Sequence, residues 1–79
     1  MKKGFVDISY GEKSERVADA QRFLQKAGSK IQVNGEFTIG MVTAVKTFQK
    51  KNGLKVTGII DEKTMVALVA VGKSARKKK

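Results

Sequence analysis

The 79-residue chain has no cysteine, no proline, no tryptophan and no histidine. Without cysteine there is no disulfide framework, and core packing alone must hold the fold. The double absence of histidine and cysteine removes the commonest zinc ligands and the usual nucleophile–base pairs, so neither a metal nor a cofactor is expected. Long apolar runs are missing as well: nothing approaches the roughly 20 residues that span a bilayer. A secretory signal is not expected either. The opening "MKKGFVDISYG" carries two lysines, but Asp7 interrupts the apolar run after two residues, and no hydrophobic stretch of signal length follows.

Acidic residues are scarce, with 7 against 17 basic ones and a net charge of +10. The position of that excess matters more than its size. Lys2, Lys3, Lys73, Arg76, Lys77, Lys78 and Lys79 lie near the two ends, and removing these seven from +10 leaves +3 for residues 4–72. The body is therefore only mildly basic. A chain of this length makes one domain. It buries only about 60% of the surface its unfolded form exposes, so its stability margin is narrow.

The most informative feature is internal repetition. "VNGEFTIGMVTAVKTF" from Val33 and "VTGIIDEKTMVALVAV" from Val56 align at a spacing of 23 residues. Val33 matches Val56, Gly35 matches Gly58, Phe37 matches Ile60, Ala44 matches Ala67 and Val45 matches Leu68. Each copy reads as an apolar anchor, a glycine turn, an apolar plug and a helix. The plug stands where a hydrophobic staple packs on a helix's first turns.

Apolar periodicity and capping residues predict three helices. The first spans 14–27, capped by Ser14 and stopped by Gly28, with Val17, Ala20, Leu24 and Ala27 inward and Phe23 widening the stripe. The second runs from 38 to 52. Met41 or Val42, Ala44, Val45 and Phe48 form its buried face, and "KKNG" ends it with cations and then Gly53. The third begins at the N-cap Asp61, buries Met65, Leu68 and Val69, and closes at Gly72. The expected fold class is all-α, a compact three-helix bundle. The expected organisation is an N-terminal extension over 1–9, the domain over 10–72 and a basic disordered tail over 73–79.

In order along the chain stand Val17, Gln21 and Leu24; then Gly35, Phe37, Ala44, Val45, Phe48, Gln49, Gly53 and Leu54; then Val56, Gly58, Thr64 and Leu68. This string resembles the type-1 peptidoglycan-binding domain family, small three-helix modules attached to many cell-wall hydrolases. The resemblance covers about residues 10–70. It departs from the family pattern at the aspartates before the turn glycines, replaced by Asn34 and Thr57, and at the glycines after the plugs, replaced by Thr38 and Asp61. Met41 replaces the threonine of the second helix, and Met65 an aromatic of the third.

The resemblance implies non-catalytic binding of bacterial cell-wall peptidoglycan by a monomer, targeting a linked or partner hydrolase. It implies a place in the cell wall or outside the cell, the chain being a phage lysin or an excised domain. Asn34, Glu36 and Thr57 in the repeated loops are the candidate ligand contacts. Tyr10, the sole tyrosine, is either an anchor of the leading loop or a stacking platform for a sugar ring. Gln21 and Gln49 are expected to bond loop backbone. The basic tail suits anionic wall polymers, or nucleic acid, since lysine and arginine neutralise phosphate in any sequence. A nucleic-acid-binding protein and a protein–protein adaptor on the same bundle are the alternatives. No enzyme activity is expected. Glu15 and Asp19 stand one turn apart on an exposed face, without the pocket that shifts a catalytic carboxylate.

Overall fold

The computed structural model describes residues 6–76, with side chains from 6 to 72. Its elements are helices α1 (Glu15–Lys26), α2 (Ile39–Lys51) and α3 (Glu62–Arg76). This is the expected three-helix architecture. Both α2 and α3 pack on α1, and α3 is the more extensive partner.

The core follows the predicted stripes in α1 and α2, and in α3 at Leu68 and Met65; Val69, expected with them, is only half-buried and lies outside the cluster, where Ala67 and Val71 pack instead. Val17, Ala20 and Leu24 of α1 meet Met41, Ala44, Val45 and Phe48 of α2 and Leu68 of α3. Of the pair left open, Met41 is fully buried and Val42 packs at the edge. The plugs Phe37 and Ile60 are both buried, so the repeat carries its apolar weight there. The anchors do not match them: Val33 is half-buried and Val56 is 49% exposed.

The first two helices end alike. At Gly28, with φ of +103°, the Ser29 N–H reaches back to the Leu24 carbonyl and the Gly28 N–H to that of Gln25. At Gly53, with φ of +71°, Leu54 and Gly53 donate to Gln49 and Lys50 in the same way. Both are Schellman closures, which need a left-handed residue at C′ and so favour glycine.

Three expectations need correction. Gly72 does not end α3, which continues to Arg76. Gly72 is buried with an ordinary helical φ, and a Cβ placed on it would lie 2.7 Å from Cδ1 of Phe23. The glycine serves close packing of α3 on α1 rather than chain reversal. The predicted tail therefore begins inside a helix at 73–76, and from 77 onward it lies outside the described residues. Ser14 precedes α1 but makes no side-chain cap, because its hydroxyl donates to Glu12 Oε2 at 2.8 Å. Third, the domain begins before residue 10: Ile8 is fully buried in the core.

Ile8 belongs to a leading strap that ties the two repeats together. The Ile8 N–H donates to the Ile60 carbonyl and the Ile60 N–H returns to Ile8, both at 2.9 Å. Further along, the Gly11 N–H donates to the Phe37 carbonyl at 3.0 Å and the Phe37 N–H to that of Glu12 at 2.9 Å. The two plugs, equivalent in sequence, thus have their backbone groups satisfied by one extended segment. Arg16 secures it from α1, holding Glu12 with Nε and Nη2 at 2.6 and 2.9 Å while Nη1 donates to the Val6 carbonyl.

Candidate functional site

The two repeated turns are built on buried glutamines. Gln21 Oε1 accepts the N–H groups of Asn34 and Gly35, each at 2.9 Å, and its Nε2 donates to the Glu36 carbonyl. Gln49 Oε1 accepts those of Thr57 and Gly58, and its Nε2 donates to the Ile59 carbonyl. One primary amide thus satisfies three consecutive backbone groups of a turn, as the sequence led us to expect of both glutamines. The residue before each glycine completes the turn: Asn34 Oδ1 accepts the Glu36 N–H at 2.9 Å, and Thr57 Oγ1 accepts that of Ile59 at 3.1 Å. These are the Asx-turn and its hydroxyl counterpart.

The surroundings of the turns differ. Gly58 is buried, and a Cβ on it would stand 3.0 Å from Val42 Cγ1 and 3.1 Å from Lys46 Cε. Side chains of α2 therefore lie against the glycine of the second turn, while Thr57 and Ile59 on either side of it stay exposed. Around the first turn there is open space. A cleft of about 560 Å³ runs between Ser14, Glu15 and Ala18 on one side and Asn34, Gly35 and Glu36 on the other. A neighbouring cleft of about 450 Å³ opens between Tyr10–Lys13 and Glu36–Gly40. The clefts share Lys13 and Glu36, whose side chains form an exposed ion pair at 3.4 Å across the strap. Both are open surface grooves rather than enclosed pockets.

The structure therefore brings Tyr10, Asn34 and Glu36 to one face and leaves Thr57 on the other turn, with its hydroxyl engaged by the turn and by Gln49 Nε2 at 3.2 Å. Tyr10 is no buried anchor. It occupies the tip of a turn closed by the Glu12 N–H on the Ser9 carbonyl at 3.2 Å, with Gly11 at φ of +97° behind it, and it is 62% exposed. Across the same cleft Ile39, the first residue of α2, is 64% exposed. Sequence reasoning passed over Lys13, Ile39 and Gly40. Ile39 carried a usable signal, being an isoleucine at a helix start, off the buried stripe and one residue after a cap.

Most charged groups nearby are paired, Glu15 being the exception. The Arg16 guanidinium, hydrogen-bonded to Glu12, holds that carboxyl below the usual glutamate range, and the arginine is raised in turn. Asp19 pairs with Arg22 at 2.7 Å. Asp61, which caps α3 by accepting the Thr64 N–H at 2.9 Å, is lowered chiefly by that bond. Among the described residues no buried side-chain nitrogen or oxygen lacks a partner, and no acidic cluster could hold a metal ion. No described helix is long and apolar enough to cross a membrane.

A family model for the peptidoglycan binding domain matches residues 13–68. The chain belongs to the peptidoglycan-binding domain family. Peptidoglycan binding and association with the cell wall are the properties that go with this membership. The solved N-terminal domain of SleB superposes with a TM-score of 0.81 at 34% identity, covering 85% of this chain and 93% of that one. The Burkholderia AP3 phage endolysin superposes with a TM-score of 0.80 at 29% identity, over 84% of this chain and 25% of the endolysin. The carboxy-terminal processing protease CtpA of Bacillus subtilis (strain 168) is 37% identical over 59 residues, 75% of this chain. The match takes up 13% of that protease's length.

Proposed function

We propose that this peptidoglycan-binding domain is a non-catalytic anchor that holds a linked or partner hydrolase on the wall, and that it grips the polymer with the open face around its first turn. The contrast between the turns carries this reading. Within one repeated scaffold, the second turn lies under Val42 and Lys46, while the first borders two clefts that gather Tyr10, Asn34 and Glu36. Thr57 is left to its part in the second turn. A non-catalytic role is supported by the carboxylates nearest the face. Glu12 is held ionised by Arg16, the opposite of what a general acid needs. The endolysin and protease matches, in which the shared region is a small part of a larger enzyme, support the anchoring role, since tethering raises a catalyst's effective concentration at its polymer. The tail cations add attraction to phosphate-bearing wall polymers, an interaction that salt screens.

The experiment is sedimentation with purified sacculi at low and at physiological salt. The full chain and a variant lacking Lys77, Lys78 and Lys79 should both pellet at about 0.15 M salt, where the Debye length is about 8 Å. Asn34→Ala with Glu36→Ala should lose most of the binding. Pelleting that needs the tail and vanishes with salt would defeat this reading. So would submicromolar, salt-resistant affinity for duplex DNA.

A further inference from the structure

We propose that the Tyr10–Ile39 cleft takes a sugar ring of the glycan strand, so that this domain recognises the polymer's polysaccharide rather than its stem peptides; the proposal rests on the peptidoglycan reading above. The geometry is that of two exposed apolar side chains on rigid supports. Tyr10 is fixed at the tip of the Ser9–Glu12 turn, and Ile39 by the first turn of α2. They flank one cleft whose walls include Gly11 and Gly40, which add no side-chain bulk between them. A pyranose offers a face of C–H groups that lies flat on an aromatic ring, and an N-acetyl methyl suits an aliphatic neighbour.

Charge decides between the two parts of the polymer. Stem peptides carry free carboxylates and would need an uncommitted cation. Lys13 is the cation lining either cleft, and it is already paired with Glu36, while Glu12 is matched by Arg16 and Glu15 adds negative charge. Neither cleft offers an unpaired cation for stem-peptide carboxylates, whereas Asn34 and the Lys13–Glu36 pair can bond the amide and hydroxyl groups of a glycan strand whose muramic carboxyls are held in amide bonds.

Tyr10 is the sole tyrosine and tryptophan is absent, so the intrinsic emission of the full chain reports on this position alone. Glycan strands stripped of stem peptide by an amidase, the lactyl carboxylates this frees then capped as amides, should change that emission saturably, and released stem peptides should not. In sedimentation with the same stripped strands, Tyr10→Phe should bind like the parent. Tyr10→Ala and Ile39→Ser should each weaken binding about tenfold, equivalent to about 1.4 kcal/mol, with unchanged thermal melts showing that they fold. Binding to whole sacculi that is absent from the capped strands, or competed by stem peptides, overturns the glycan assignment while leaving the peptidoglycan reading intact. Failure to bind whole sacculi brings down both.

Discussion

The two turns share a plan and differ in finish. In the first, Gln21 spans Asn34 to Glu36 beside open clefts. In the second, Gln49 does the same for Thr57 to Ile59 and also donates to Thr64 Oγ1 at 3.0 Å, from a side chain with no exposure at all. The extra bond draws the second turn onto the start of α3, and Val42 and Lys46 cover it. Both copies feed the core through their plugs and helices, and only their turns differ in what surrounds them. The difference is one of cover, not of backbone design.

The sharpest way to break this comparison is to remove each glutamine. Gln49→Ala strands two backbone N–H groups, a carbonyl and the Thr64 hydroxyl in a dry site, at roughly 1–3 kcal/mol for each group left unpaired. It should unfold most of the population of a domain this small, as seen by circular dichroism. Gln21→Ala exposes its orphaned groups to the neighbouring clefts and should cost about half as much. Equal losses would mean that the turns are equally buried.

Glycine replacement comes next. Gly58 and Gly35 have φ of +82° and +79°, so alanine at either meets the left-handed penalty of about 1–2 kcal/mol. Gly58→Ala must also displace Val42, whereas at Gly35 the nearest atom is the Ser14 carbonyl oxygen at 3.3 Å. Gly58→Ala should lower the melting temperature further, by about 4–8 °C for each additional kcal/mol.

Acid probes the same contrast through the two lowered carboxyls, Glu12 beside the first turn and Asp61 after the second. Each binds a proton more readily in the unfolded chain than in the folded one. Each therefore stabilises the fold above its unfolded value, about 4.3 for glutamate and 3.9 for aspartate, and loses that contribution as pH falls through the lower folded value. Thermal melts should show stability declining below about pH 4. Glu12→Gln should flatten that decline in part, leaving the share that belongs to Asp61.

The smallest effect is the exchange of the turn residues themselves. Thr57→Asn gives the second turn the side chain of the first, with an acceptor in the same place, and should change stability by no more than about 0.5 kcal/mol. A larger loss would show that the Thr57 hydroxyl, not the turn type, is what Gln49 requires.

Much of this was legible in the sequence because the signals were local. The helices follow from local periodicity and caps, the plugs Phe37 and Ile60 from the repeat, and the glutamines from a side chain suited to bonding loop backbone. What escaped depends on distant partners. Ile8 looked like part of an extension because nothing near it in sequence reveals that Ile60 pairs with it. Gly72 looked like a stop because the same residue that reverses a chain also lets two helices touch, and only Phe23 on the facing helix decides between the two. Of the four proposed contacts, Tyr10, Asn34 and Glu36 converge on one face while Thr57 does not. The repeat made Asn34 and Thr57 equivalent, and the side chains of α2 that distinguish them are not part of the motif.

The Ile8–Ile60 pair also has a consequence for how the chain is made. Ribosomal synthesis releases residue 8 early and residue 60 late, and at about 5–20 residues per second the strap waits several seconds for its partner. During that interval the first turn, with Gln21 and Phe37 already emerged, can form and meet Glu12 and Gly11, while Ile8 stays open to solvent. The half of the domain around the first turn can thus assemble before the half that locks it, and the nascent chain leaves the backbone of Ile8 unpaired until Ile60 arrives.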